Sequence, residues 1–306
     1  MYNYDMTIPK LLKKDNILSI ANEHLIEGLL FREYDLFEAS SKSGERSWKQ
    51  QWYHNTVLQD SLVELSRELS SNVVILKGMA LLDSIYEDTG KRFMSDIDLL
   101  VPQDEVSKLH DLLDREGYKN ITGPQWKGND FKGEWTKTTN GIEVNIEIHT
   151  RLFYHARDLD WELENSSITP LKILAPNDMI LHLIGHCAFQ HNFLKLYWLM
   201  DIYLYQLNQE IDWKLVLDRA KKLKVYNSVI STIWVLNKYF ESDIYVEEVP
   251  SRKVQNLLTE EFLLNPNQQG SDYYRIKHYM KDNIIEALKY DFAWFFDRIK
   301  KKFARQ

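Results

Sequence analysis

The segment from Asn140 to His149 constrains the fold more than any other part of this chain. Asn-Gly favours a two-residue type I′ turn, and the run that follows it alternates apolar and polar residues. A period of two predicts a strand that is buried on one face only. The apolar face holds Val144, Ile146 and Ile148. The opposite face holds Asn145, Glu147 and His149.

A second predicted strand carries two acids, Asp96 and Asp98, in the run Ser-Asp-Ile-Asp-Leu-Leu-Val. Residues i and i+2 of a strand project from one face, and two charges about 4 Å apart repel by roughly 4 kcal/mol at an effective dielectric of about 20. A cation between them removes this cost. Oxygen ligands suit Mg²⁺, which completes its coordination with water and phosphate oxygens. The pair, with Glu147 as a third carboxylate, therefore indicates phosphate chemistry.

A glycine turn lies upstream, where Lys77 and Gly78 follow an apolar run and precede a predicted helix. Glycine lets a ligand approach the backbone closely, and the N-terminus of a helix presents free N–H groups to anions. Lys77 adds a mobile positive charge at the same corner, although a surface lysine at a strand end is an equally good interpretation. We expect phosphate to bind at this corner.

These motifs resemble an uncharacterised bacterial nucleotidyltransferase-like family of the DNA polymerase beta superfamily. The resemblance rests on Leu76-Lys77-Gly78, Tyr86, Arg92, Asp96-Ile97-Asp98-Leu99-Leu100-Val101, Glu147-Ile148-His149 and the later helical stretch Asp178–Asp201. It implies an α/β fold, a nucleotidyltransferase-type mixed sheet core with a helical N-terminal segment and a C-terminal helical domain.

The resemblance also implies roles for individual residues. Asp96, Asp98 and Glu147 would be the catalytic acids and would bind Mg²⁺ (or Mn²⁺), with Glu147 orienting or deprotonating an acceptor hydroxyl. Phosphate would be bound by Lys77, Gly78, the backbone of Met79, and Arg92. The chain departs from the superfamily at Met79, where glycine or serine is usual, so a serine contact to phosphate is missing. Arg92 has a structural alternative, an ion pair with Asp96 or Asp98.

The expected function is Mg²⁺-dependent transfer of a nucleotidyl or phosphoryl group from a nucleoside triphosphate to a hydroxyl or phosphate acceptor. One alternative keeps the site and changes the reaction: a tailoring enzyme that transfers a sugar from a nucleotide-sugar to a phosphorylated peptide or small metabolite. Another alternative is a non-catalytic protein that binds a nucleotide or a partner, motivated by the missing serine.

Three regions differ in periodicity. Residues 1–70 are predicted to be a helical N-terminal segment, residues 71–157 a nucleotidyltransferase-like α/β core, and residues 158–306 a helical C-terminal domain. A chain of 306 residues with 44% apolar content is long enough to bury a core across several such units.

Histidines mark the helix predicted to begin near Asp178. His182 and His186 lie four residues apart, and His191 follows shortly after. We predict that these three residues and His149 line the substrate cleft. Two alternatives stay open: a zinc site, for which a third ligand is lacking, and a structural role inside a helical bundle. Asp201 is a candidate hydrogen-bond partner for one of these histidines.

Composition limits the classes of binding partner and the expected location of the protein. A net charge of −7 disfavours general binding to nucleic acid, and the basic clusters at Lys221–Lys224 and Lys300–Lys302 are predicted to be solvated. No apolar run reaches the roughly 18 residues of a membrane span, and the start of the chain lacks signal-peptide features. With one cysteine, Cys187, the expectation is a soluble cytoplasmic enzyme without an internal disulfide.

Overall fold

The computed structural model describes residues 9–13, 16–33, 42–122, 132–153, 160–268 and 270–283, together with Ile285, Ala287, Leu288 and Phe292. The strands are β1 (Val74–Ile75), β2 (Ile97–Leu100), β3 (Lys119–Asn120), β4 (Lys132–Thr139), β5 (Ile142–His149), β6 (Leu163–Asn165) and β7 (Lys172–Leu174). The helices are α1 (Ile17–Glu23), α2 (Glu27–Glu33), α3 (Lys42–Ser66), α4 (Lys77–Ser84), α5 (Val106–Arg115), α6 (Pro176–Ile184), α7 (Leu196–Asn208), α8 (Trp213–Leu223), α9 (Tyr226–Tyr239), α10 (Arg252–Leu257), α11 (Glu260–Leu263) and α12 (Ser271–Tyr279).

All these strands form one seven-stranded sheet in the order β3-β4-β5-β2-β1-β7-β6. The pairs β2–β5 and β1–β7 are parallel, whereas the other neighbours are antiparallel. The mixed sheet, with helices before and after it, confirms the predicted α/β fold class. Strands β6 and β7 join the sheet although they follow residue 157. The predicted boundary at residue 157 itself lies outside the described residues.

The turn between β4 and β5 is the predicted hairpin. Thr139 pairs with Ile142, and both turn residues have positive φ, 50° at Asn140 and 78° at Gly141. A type I′ turn requires this conformation at both central positions, and asparagine and glycine adopt it at low cost. The turn fixes the register of the hairpin, so each residue of β5 has a defined partner on β4.

The sheet buries its apolar face as the alternation predicts. Val144, Ile146 and Ile148 of β5 are at most 1% exposed. Helix α5 buries its predicted stripe, Val106, Leu109, Leu112 and Leu113. The polar face of β5 is therefore the one left for chemistry.

Two expectations concern the surface. Lys221 and Lys222 are exposed in the last turn of α8, and Lys224 is exposed just beyond it, which agrees with a solvated cluster; Lys300–Lys302 lie outside the described residues. Among the helices that the structure describes, none combines the length and hydropathy needed to cross a bilayer.

Candidate active site

The sheet register brings two carboxylates and an imidazole together. Asp98 of β2 pairs with Glu147 of β5, and His149 lies two residues further along the same face of β5. One ligand atom from each of these three residues lies within 4.8 Å of the others. His149 Nε2 is 2.9 Å from Asp98 Oδ1 and 3.3 Å from Glu147 Oε1. We call this set the acid–imidazole triad.

The triad differs in one member from the predicted set of three acids. His149, predicted to line the cleft, is a member, whereas the ligand atoms of Asp96 are outside the group. Asp96 precedes the first residue of β2, so pairing with β5 does not hold it against Glu147. Ser95 Oγ donates instead to Asp96 Oδ1 at 2.9 Å. A metal-binding role for Asp96 stays a prediction.

Two lysines neutralise the triad. Lys77 Nζ contacts Asp98 Oδ1 at 2.6 Å, and Lys132 Nζ contacts Glu147 Oε1 at 2.7 Å. Burial raises the pKa of Asp98, but the charge of Lys77 and the hydrogen bond from His149 lower that pKa by more, to well below its usual range. The pKa of Glu147 is also lowered, because Lys77 and other cations offset its burial. Both carboxylates are therefore ionised at neutral pH.

Asp96 has the opposite electrostatic surroundings. Burial, followed by repulsion from Asp98, raises its pKa to about 6. A folded-state pKa above the ordinary value means that the folded protein binds the proton more tightly. The stability that Asp96 contributes is therefore present below about pH 4 and is lost as the pH rises to about 6.

Without divalent ions, Asp96→Asn is therefore expected to stabilise the protein at pH 7 by about 1–2 kcal/mol, after allowing for solvent screening. The gain should vanish near pH 4, where Asp96 is protonated. Urea unfolding at both pH values, in the presence of a chelator, measures it. Asp104→Asn, in the exposed loop after β2, removes the same charge as a control. If the variant is no more stable than the parent at pH 7, burial and repulsion from Asp98 do not destabilise ionised Asp96.

Lys77 and Gly78 are the first two residues of helix α4, whereas the sequence predicted them as a turn before the helix. Lys77 has a φ of 46°, in the left-handed region, and the N-cap Leu76 provides no side-chain acceptor for the first-turn N–H groups. Gly78 is needed for a close contact, since a Cβ there would lie 2.3 Å from Arg92 Nη1 and 2.8 Å from Met94 Sδ. Met79 is buried. The predicted phosphate contacts of Gly78 and Met79 stay predictions, and the structure adds a packing reason for the glycine.

Gly78→Ala is accordingly expected to lower the free energy of unfolding by about 1–3 kcal/mol, because a methyl group would displace a guanidinium held by other bonds. Chemical denaturation measures the change. Ser84→Ala in the same helix, which loses a bond from Oγ to the Ala80 carbonyl, is the matched control with a small expected effect. Equal stability of the two variants would show that the Arg92 side chain can move away from residue 78 at little cost in free energy.

Arg92 forms a buried ion pair with Asp201 of α7. Its Nε and Nη2 donate to the two carboxylate oxygens at 2.9 and 2.8 Å, and Nη1 donates to the Phe93 carbonyl at 2.9 Å. Tyr86 OH donates to the same carboxylate at 2.9 Å. Two expectations are therefore wrong. Arg92 pairs with neither Asp96 nor Asp98, and Asp201 bonds to Arg92 and Tyr86 and not to a histidine. A bidentate carboxylate is the stronger partner for a guanidinium, and phosphate binding by Arg92 stays a prediction.

The predicted cleft histidines come from α6 and the segment after it. His182 is 3% exposed, and neither of its ring nitrogens has a hydrogen-bond partner. Burial, with the nearby charge of Lys77, lowers its pKa to about 3, so the ring is neutral. His186 and His191 are partly exposed next to Trp198. Within the described ranges the acid–imidazole triad is the one group with metal-ligand spacing, so these histidines acquire no third zinc ligand.

Sequence reasoning missed Lys132. The signal was available, since counting back from the Asn140-Gly141 turn pairs Lys132 with His149 and Glu134 with Glu147. Trp198 was also missed, because nothing in its local sequence separates it from the other eight tryptophans of the chain.

The architecture and the clustered carboxylates are consistent with the nucleotidyltransferase-type core that the motifs predict. Residues 12–241 match the family described as an uncharacterised nucleotidyltransferase. Since the match spans more than half of the chain, the protein belongs to that family. A search of curated proteins found no match.

Proposed function

We propose that the protein is a divalent-metal-dependent enzyme that transfers a nucleotidyl group from a nucleoside triphosphate to an acceptor hydroxyl. The observation that supports this most is the convergence of Asp98, Glu147 and His149 ligand atoms within 4.8 Å. Membership of a nucleotidyltransferase family supports the class of reaction.

The triad fits a divalent ion chemically. Carboxylates suit Mg²⁺ and Mn²⁺, and an imidazole among the ligands shifts the preference towards Mn²⁺. When bound, such an ion would neutralise the phosphate oxygens and the charge that develops during transfer. Asp98 and Glu147, with His149, are the residues that would hold it.

The chain's own groups account for the remaining steps. The acceptor oxygen forms a bond to the α-phosphorus, the bond from that phosphorus to the bridging oxygen breaks, and pyrophosphate leaves. In this proposal Glu147 orients the hydroxyl and accepts its proton. Lys77 and the first-turn N–H groups of α4 supply positive potential for the phosphates.

The full-length protein, incubated with each of the four nucleoside triphosphates, a panel of hydroxyl acceptors and Mg²⁺ or Mn²⁺, tests the proposal. We expect release of pyrophosphate that stops with a chelator and returns when the metal is restored. Titration with a non-hydrolysable triphosphate should show binding that requires the metal. A protein that binds none of the triphosphates in either metal would refute the proposed function.

One observation favours a second candidate, a nucleotide-binding protein without catalysis. Lys77 Nζ lies 2.6 Å from Asp98 Oδ1, so an internal cation already contacts the carboxylate that a metal needs. Such a site could bind a nucleotide through Lys77 alone. In this case triphosphate binding would survive a chelator, and no pyrophosphate would form.

If the site is catalytic, Lys77 has to leave Asp98 when a metal binds. Lys77→Met is therefore expected to bind Mn²⁺ about tenfold more tightly in the absence of nucleotide, because removing a neighbouring charge is worth at least ~1.4 kcal/mol at this distance. Calorimetry or Mn²⁺ electron paramagnetic resonance measures the affinity. Lys137→Met, on β4 with its ammonium over Tyr118, is the matched control. Unchanged affinity in Lys77→Met would show that Lys77 does not compete with the ion.

A further inference from the structure

Three partly exposed rings, two from the segment after α6 and one from α7, form a cluster: His186, His191 and Trp198. His191 stacks on Trp198 with ring centroids 4.6 Å apart and planes inclined by 27°. His186 meets both rings edge-on, at 4.5 and 5.0 Å. We call these residues the imidazole–tryptophan cluster. A stacked pair with an edge-on neighbour offers a flat surface and a polar rim to a ligand.

A rare helical turn assembles this cluster. Helix α6 continues as a π-helix over Gly185–Gln190, and His191 N donates to the His186 carbonyl, five residues back, at 3.2 Å. In a regular α-helix, residues five apart point about 140° away from each other. The wider π turn brings the two imidazoles onto one face. Single π turns of this kind occur frequently at functional sites.

The backbone directly after His191 is strained. Asn192 and Phe193 have φ values of 51° and 61°, in the left-handed region that residues other than glycine rarely adopt. Both side chains are buried, at 1% and 0% exposed, so the surrounding packing holds this conformation. Strain that the rest of a fold maintains is concentrated at binding and catalytic sites. It is a second, independent indication that the position of His191 matters.

The cluster lies within electrostatic reach of the acid–imidazole triad. Burial lowers the pKa of His191 to about 4, Lys77, Lys132 and Lys281 lower it as well, and Glu147 opposes them. Burial and Lys77 hold the pKa of His186 well below its usual value. The rings are therefore neutral at pH 7. The three rings therefore bring no charge of their own to a ligand.

The protonation of His186 defines what it can bind. Its Nδ1 lies 3.2 Å from Gln190 Oε1, so Nδ1 carries the proton and donates it to that amide oxygen. In a neutral imidazole the other nitrogen, Nε2, is then a hydrogen-bond acceptor. A hydroxyl or amino group satisfies such an acceptor, whereas a phosphate dianion has no proton to donate.

We propose that the imidazole–tryptophan cluster binds the acceptor of the transfer reaction, and that this acceptor is an uncharged ring carrying hydroxyl groups. The ring packs on the stacked surface of Trp198 and His191, and one of its hydroxyl or amino groups donates to His186 Nε2. A sugar and a nucleoside share this chemistry. The assignment as acceptor rests on the proposed function, whereas binding of the ring itself does not.

Saturation-transfer NMR on the full chain tests the proposal with four probes. Two are neutral, glucose and uridine, and two are their monophosphates, glucose 6-phosphate and uridine 5′-monophosphate. Mg²⁺ and a non-hydrolysable triphosphate are present, so that the donor position is filled. We expect glucose, uridine or both to bind, and we expect the phosphate group of the phosphorylated counterparts to add no affinity. Binding of only one neutral probe distinguishes a sugar acceptor from a nucleoside acceptor.

Trp198→Ala and His186→Ala are expected to weaken binding of the neutral probe by about tenfold or more, the size of effect that loss of a stacking ring produces. Trp52→Ala and His54→Ala, both on α3 and outside the cluster, are the controls. Trp52 is 48% exposed, so its loss should leave probe binding unchanged. If a truncated variant does not fold, Trp198→Phe and His186→Gln take its place. The first keeps a ring and the second keeps an acceptor, so each should lose only part of the affinity.

Tighter binding of the phosphorylated probes, absence of binding by both neutral probes, or binding unchanged in the cluster variants would overturn this inference. The triphosphate in the same samples keeps the two proposals separate. If it binds with Mg²⁺ and the neutral rings do not, the acceptor site is wrong and the proposed function stands. If it fails to bind at all, the proposed function fails whatever the neutral probes do.

Discussion

Asp98→Asn is expected to reduce nucleotidyl transfer by at least about 10³-fold, since a bound metal contributes several kcal/mol of charge stabilisation and each ~1.4 kcal/mol is tenfold in rate. Asp98 is 3% exposed, and its Oδ1 accepts bonds from both Lys77 and His149. The amide keeps the shape of the side chain but removes the charge that a cation requires. Metal affinity should fall together with the rate.

Measurements of pyrophosphate release and Mn²⁺ affinity on the same preparations test this prediction. Glu147→Gln should show a comparable loss of rate, and Glu143→Gln is its matched control. Glu143 lies on the same face of the same strand but is exposed and outside the triad. Asp104→Asn serves in the same way for Asp98. Full activity in Asp98→Asn would remove the triad from the mechanism.

Arg92→Met is expected to lower the free energy of unfolding by about 3–5 kcal/mol, the largest stability effect we anticipate, because it leaves the Asp201 carboxylate buried without its cation. Arg92 is 6% exposed and Asp201 1%. Burial raises the pKa of Asp201, and Arg92 opposes that increase. Without Arg92 the pKa rises further, so the folded variant takes up a proton more readily. Its stability deficit should therefore be smaller at pH 5 than at pH 8.

Denaturant unfolding at these two pH values measures the deficit. The double variant Arg92→Met, Asp201→Leu should recover much of the loss, because buried pairs replaced by apolar residues are often tolerated. Lys49→Ala removes an exposed pair with Glu45 on α3 and should cost about 0.5 kcal/mol or less. A deficit in Arg92→Met as small as that of Lys49→Ala would mean that Asp201 finds another partner.

The polar face of β5 shows how far local pattern leads. Alternation assigned Glu147 and His149 to one face of a strand, and the structure confirms it, since their side chains are in contact. Alternation also assigned Asp96 and Asp98 to a common face, yet Asp98 alone of the two joins the triad. The pattern gives the direction of a side chain but not the neighbouring strand that fixes its position. Only pairing with β5 selects Asp98, because the paired segment starts at Ile97.

The histidines show a different limit. Spacing of four residues placed His182 and His186 on one helical face, but the structure groups His186 with His191, five residues on. A π turn cannot be recognised from residue spacing, since it depends on how the end of α6 packs and on the strained residues that follow. The partner of Arg92 could not be predicted from local sequence either. Asp201 is 109 residues away, and no local pattern connects the two.

The sequence by itself determined the local elements around the site: the Asn140-Gly141 hairpin, the two-faced strand after it, and the presence of a helix after the apolar run that ends at Leu76. These follow from backbone preferences and from hydrophobic period, which act over a few residues. The tertiary structure alone decided which charged groups meet. Lys77, Lys132 and His149 reach the two carboxylates because distant strands and a helix terminus pack together, and buried charges adopt whichever arrangement leaves each of them paired.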